Sequence, residues 1–183
     1  MRGFKKRTWC LARFPAAVLV LHFGVLAVPV EASTRESLAT PSPRVFMVNA
    51  TEATSVRQAV RAAARRLADG RCQQVFSDFR DESGRSLQER LDRLGQTGPS
   101  YLGLIHFGEG AGIHRCSKQD VIAVTAPGSR VVFICGGQFQ RAYEKNPAQV
   151  EAIVIHEALH SLGLGENPPT SDAITAQVMA RCR

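Results

Sequence analysis

The most constraining stretch of this chain is NPAQVEAIVIHEALHSLG, residues 146–163. Asn146 is a good N-cap, Pro147 suits the first helical position, and Glu151 falls in the opening turns. Val150, Ile153, Val154 and Leu159 supply core positions, and Gly163 can end the helix in a left-handed conformation. A helix with a defined start and end therefore carries His156, Glu157 and His160. Residues four apart lie one turn above each other on the same helix face, so the two histidines stack on one side.

The rest of the chain limits what can surround that helix. Arg2, Lys5, Lys6, Arg7 and Arg13 precede an apolar run over 14–28, and Val30-Glu31-Ala32 offers small residues for cleavage before Ser33. This is the layout of a secretory signal peptide over residues 1–32. The run is shorter than a spanning helix needs and contains His22, so no stable membrane insertion is expected after cleavage. A secreted or periplasmic location follows, and no cysteine after the cleavage site suggests a lipid anchor. Five of the 23 Lys and Arg and one of the 16 Asp and Glu lie in that segment. The remainder keeps 18 basic and 15 acidic residues, a net charge of +3 instead of +7. A nucleic-acid partner needs a stronger basic footprint, so none is expected.

Residues 33–43 read as a flexible lead-in and 44–183 as one domain, long enough to bury a core. Four cysteines remain, Cys72, Cys116, Cys135 and Cys182. An even count in an exported chain favours two disulfides, with three pairings open. A strand is expected in 44–50, then a helix from Thr54 with Val56, Ala59, Val60, Ala63 and Leu67 as its apolar stripe and Gly70 as its stop. Arg57, Arg61 and Arg65 on that helix read as a solvated face. Further strands are expected at 74–79 and 101–107, with a turn at 81–84 and a short helix over 85–94 between them. Gly95 and Gly98-Pro99 stop that helix. Residues 121–125 and 131–135, joined by Ala-Pro-Gly-Ser, read as a β-hairpin. We expect a monomer.

His156 and His160 can present two imidazole nitrogens to one tetrahedral Zn2+. Glu157, adjacent to their face, can take a proton from a zinc-acidified water as it attacks a carbonyl carbon, and can later protonate the leaving amine. Such an ion needs a third protein ligand and an open fourth position. Gly163 lets the chain turn back, and Glu166, six residues beyond His160, is then placed to offer a carboxylate oxygen. Its negative charge should make the water somewhat less acidic. His106, in a strand-like run, and His114, in a Gly-rich loop, are rival third ligands, and Asp172 is a weaker one. Ordinary packing or exposure accounts for each of them. Tyr101 and Tyr143 could assist an oxyanion, but their spacing supports no role.

HEALHSLGLGE, residues 156–166, resembles the extended zinc signature of metzincin metallopeptidases, HExxHxxGxxH, with a matrixin-like Leu-Gly-Leu after the second histidine. VIAVTAPG, 121–128, is loosely similar to the strand and Pro-Gly turn before the active helix of matrixin-type enzymes. The resemblance implies zinc bound by His156, His160 and Glu166, with Glu157 as general base. It also makes residues 121–125 the rim of a cleft for an extended peptide or protein substrate. The implied fold is α+β: a small zincin-like domain with a mixed, mostly antiparallel sheet, a backing helix and an active-site helix. Two departures stand out. Glu166 replaces the third histidine. Met179, the sole downstream methionine, falls in a helical pattern begun by Ser171, with Ile174 and Val178, so it is expected in helix packing and not in the family's methionine turn. The function implied is a secreted zinc-dependent endopeptidase. The alternatives are a zinc amidase acting on cell-wall peptides and a non-catalytic exported zinc-binding module.

Overall fold

In the computed structural model, which describes residues 42–166 and 168–183, four short strands form an open mixed sheet. They are β1 (Arg44–Phe46), β2 (His106–Glu109), β3 (Ala123–Thr125) and β4 (Val131–Ile134), in the order β1-β2-β4-β3. β1 with β2 and β2 with β4 pair parallel, while β3 and β4 form the antiparallel hairpin. The class is α+β, but the expected antiparallel majority is wrong. Two segments expected as strands are helical, so long helical connections separate β1 from β2. A parallel neighbour needs a long crossover connection, most often helical, as between β1 and β2. The expected signal peptide and nearly all of the lead-in lie outside the described residues.

The first of those segments, 74–79, forms α3 (Val75–Asp78), which follows α2 (Gly70–Gln73). Val75, Phe76 and Phe79 fit one helical face as well as a strand, and a short apolar run cannot decide between them. The second segment begins inside α5 (Gly98–Leu102), so only its end joins β2. Thr97 and Ser100 make a reciprocal capping box, with Pro99 in the first turn. Gly98 opens α5 instead of stopping the helix before it. A β-carbon there would lie 2.6 Å from Phe76 Cε2, so only glycine allows the approach. Gly70 likewise starts α2 under an Asp69 cap and does not close α1 (Ala50–Leu67).

The core lies where α1 meets α5, α6 (Gly136–Lys145) and α7 (Pro147–Ser161). Val56, Ala59, Val60, Ala63 and Leu67, the stripe legible in the sequence, are all buried there. Each large apolar side chain so buried contributes on the order of 1.5–3 kcal/mol. Arg61 and Arg65 are exposed on the opposite face. Arg66 instead turns inward and pairs with Glu151 of α7 at 2.6 Å. α4 (Leu87–Arg93) carries a Ser86–Glu89 capping box, and the turn before it uses Gly84 at φ 77.

The cysteines pair as Cys72–Cys182 and Cys116–Cys135. The first bond fastens the end of α8 (Ser171–Arg181) to α2. The second fastens a 3₁₀ turn (His114–Ser117) to the end of β4. Two disulfides point to an oxidising compartment. Among the described residues, no helix is long and apolar enough to cross a membrane.

Candidate metal centre

α7 begins and ends as its sequence predicts. The Asn146 side chain accepts from the Gln149 amide, Pro147 occupies the first turn, and Gly163 adopts φ 107 just beyond the last turn. The amides of Gly163 and Leu164 bond back to the carbonyls of His160 and Leu159. That closure folds the next residues over the helix end. Leu164 O then accepts from His160 Nδ1 at 2.7 Å, and Glu166 arrives beside the two imidazoles.

His156 and His160 are 3% and 4% exposed, and their Nε2 atoms approach to 2.8 Å. Glu166 Oε1 lies 3.3 Å from His160 Nε2 and 3.8 Å from His156 Nε2. One donor atom from each residue falls within 4.8 Å of the others, the one such group among the described residues. A carbonyl can only accept, so His160 Nδ1 carries the proton and its Nε2 presents a lone pair. A second ring nitrogen at 2.8 Å then needs a proton or a cation between the two. Burial, reinforced by His160, pushes His156 down to about 3, so its ring is neutral, and the Thr175 hydroxyl, which can donate or accept, lets its Nε2 present either the one ring proton or a lone pair. Two imidazole nitrogens and a carboxylate oxygen, each histidine held from behind at Nδ1, fit a divalent metal ion.

The partner behind His156 was not visible in the sequence. Thr175 Oγ1, on α8, lies 2.9 Å from His156 Nδ1. Threonine 19 residues downstream carries no motif. What places it is the fastening of α8, by the Cys72–Cys182 bond, by Arg66 reaching the Cys182 carbonyl, and by Arg181 on Asp78 at 2.7 Å. Tyr101, expected only as a loose oxyanion candidate, is buried and donates to Ser161 O at 3.1 Å, bracing the end of α7. Tyr143 packs against the core away from the site.

Glu157 is 6% exposed, and its Oε2 has no hydrogen-bond partner among the described residues. Burial pushes its carboxyl up to about 7. The Thr125 hydroxyl lies close enough to draw it part of the way back, short of a completed hydrogen bond. Glu166 acts to raise it further and Arg115 to lower it. The carboxylate and both histidines line a groove of about 900 Å³ between β3 on one side and α7 and α8 on the other.

The rival ligands fall elsewhere. His106 stacks on Phe46 and meets Arg44 Nη1 at 3.3 Å on the sheet. His114 lines a separate pocket of about 450 Å³. Asp172 lines the groove but does not join the ligand group. Met179 does sit in a helix, α8, but it is 38% exposed and faces the groove instead of packing in the core. Ser171 opens that helix one residue after its true cap, Thr170. Comparison with protein-family models, curated proteins and solved structures yields no match.

Proposed function

We propose that this chain is an exported zinc-dependent endopeptidase built on a metzincin-like version of the zincin fold, with glutamate as the third metal-binding residue. The observation that carries the reading is the convergence of His156, His160 and Glu166 beside a buried, unpartnered glutamate in an open groove. His156, His160 and Glu166 would hold the ion, and both histidines are oriented from behind by Thr175 and Leu164. Zinc, when bound, supplies a Lewis acid that makes a water nucleophilic near neutral pH and polarises a carbonyl.

The remaining work belongs to the chain. Glu157 Oε2 completes no hydrogen bond among the described residues, so the carboxylate is free to accept a proton from an attacking water and pass it to the departing amine. Among the described residues β3 is an edge strand, paired only with β4, and Ala123, Val124 and Thr125 line the groove. Its outer backbone groups can hold an extended peptide by strand addition. The disulfides suit an exported protein.

Metal analysis and peptide hydrolysis on the purified, disulfide-bonded chain test this reading. About one zinc per chain is expected, with chelator-sensitive endopeptidase activity. Glu157→Gln should keep the zinc and lower turnover by about 10²–10⁴, the range of general-base contributions. Glu166→Ala should weaken zinc binding, and unchanged affinity would remove Glu166 from the ligand set. Stoichiometric zinc with no hydrolysis of peptides would sink the peptidase, and cleavage of cell-wall peptides alone would replace it with an amidase.

A further inference from the structure

The groove is lined by four acidic side chains, Asp120, Glu157, Glu166 and Asp172. Among the described residues, Arg115 and Lys118 are the two Lys or Arg side chains that line it. Both are exposed, and Arg115 has no ion-pair partner among the described residues. Arginine and lysine on a surface loop are ordinarily mobile and solvated, so what matters here is how the loop is held.

Three independent contacts hold it. Cys116, next to Arg115, is bonded to Cys135 at the end of β4. The Gln138 amide of α6 donates to the carbonyls of Cys116 at 3.0 Å and Lys118 at 2.8 Å, holding the backbone directly after Arg115 and at Lys118 itself. Gly110 lets β2's extension pass beneath, where a β-carbon would lie 2.7 Å from Ile134 O and 2.8 Å from Cys116 Sγ. A loop fixed at these points presents its guanidinium to the groove with less ordering still to be done on binding.

Resting on the peptidase reading, we propose that Arg115, with Lys118 beside it, forms an anion subsite selecting peptides that bear a carboxylate near the bond to be cut. The planar fork of arginine matches a carboxylate with two parallel hydrogen bonds, which the ammonium of Lys118 supplements as a point charge. Asp120, on the same stretch, does not cancel the pair, because two cations face one anion there. The carboxylate comes either from an acidic side chain or from the end of the peptide.

Matched peptides distinguish these sources and test the site. Calorimetric binding and hydrolysis are measured on the zinc-loaded chain with peptides carrying Glu or Gln at each position in turn, each with a free or amidated C-terminus. The wild type should favour one carboxylate-bearing peptide about tenfold over its neutral isostere, the scale of a charge-assisted hydrogen bond. That ratio should fall towards one in Arg115→Gln and invert in Arg115→Glu. Arg115→Lys, which keeps the charge and loses the fork, should retain part of it. Loss of preference on amidation assigns the site to a chain terminus, and preference for internal Glu assigns it to a side chain. No preference in the wild type, or a full preference in Arg115→Gln, overturns the subsite even if peptides are cleaved. An Arg115-dependent preference in binding without any cleavage keeps the anion site and overturns the peptidase.

Discussion

The two walls of the groove are built differently, and they meet the candidate site differently: one touches a histidine of the candidate ligand group, the other flanks Glu157. The α8 wall is fixed by ties between residues far apart in sequence: Cys72–Cys182 spans 110 residues, and Arg181 meets Asp78. Its product is one contact, Thr175 on His156. The β3 wall is fixed by ties closer in sequence, a hairpin, a disulfide spanning 19 residues and the Gly128 amide on the His160 carbonyl. It brings no residue to the ligand group, and it places Thr125 near Glu157 and Arg115 at the rim. Long-range closure fixes the residue behind His156, and closure nearer in sequence fixes the residues beside Glu157.

The largest effect expected from breaking this contrast is on stability. Replacing Cys72 and Cys182 together with serine should cost about 4–5 kcal/mol in urea unfolding, and replacing Cys116 and Cys135 about 3 kcal/mol, from the lengths of the loops they close. The first pair should also weaken metal binding, since α8 carries Thr175, whereas the second should not. Equal loss of metal affinity in both would erase the distinction between the walls.

A finer test exchanges one hydroxyl on each wall. Thr175→Val removes the partner of His156 and should lower metal affinity about tenfold, the low end for groups behind a ligand. Thr125→Val should leave metal affinity unchanged and lower turnover, with Thr125→Ser restoring it. Titration with a metal-buffered indicator beside steady-state kinetics reads both quantities.

The smallest effect is that of acid. The Arg181 hydrogen bond, opposed in part by burial, holds Asp78 below the usual carboxylate range. The stability this adds is complete above the unfolded value, near about 3.9, and is lost as pH falls through the lower folded value. The pair is partly exposed, so under about 1 kcal/mol is at stake. Thermal melts of wild type and Asp78→Asn should differ at pH 6 and converge towards pH 2. A gap that persists in acid would show that the ionised pair contributes nothing to the α8 wall.

What was legible in the sequence follows the same division. α7 could be read almost to the residue, because Asn146, Pro147 and Gly163 are local signals acting on their own backbone. The β3–β4 hairpin was equally plain, with Gly128 at φ 79 in its turn. The segments at 74–79 and 101–107 were misread because short apolar runs suit either geometry until their neighbours choose. α6 was overlooked, although Phe139, Ala142 and Tyr143 mark one helical face. The disulfide pairing and the role of Thr175 had no local signature at all. Both depend on where α8 comes to rest, which only the assembled core determines.

His160 carries one further consequence. Its ring nitrogen Nε2 faces His156 and Glu166, while its backbone carbonyl accepts the amides of both Gly163 and Gly128 at 2.8 Å. Gly128 is the tip of the hairpin, so His160 alone spans from the candidate ligand group to the outer wall, through its own covalent bonds and one hydrogen bond. That corner of the groove is tied to α7, at the end of β3 away from the 3₁₀ turn that carries Arg115.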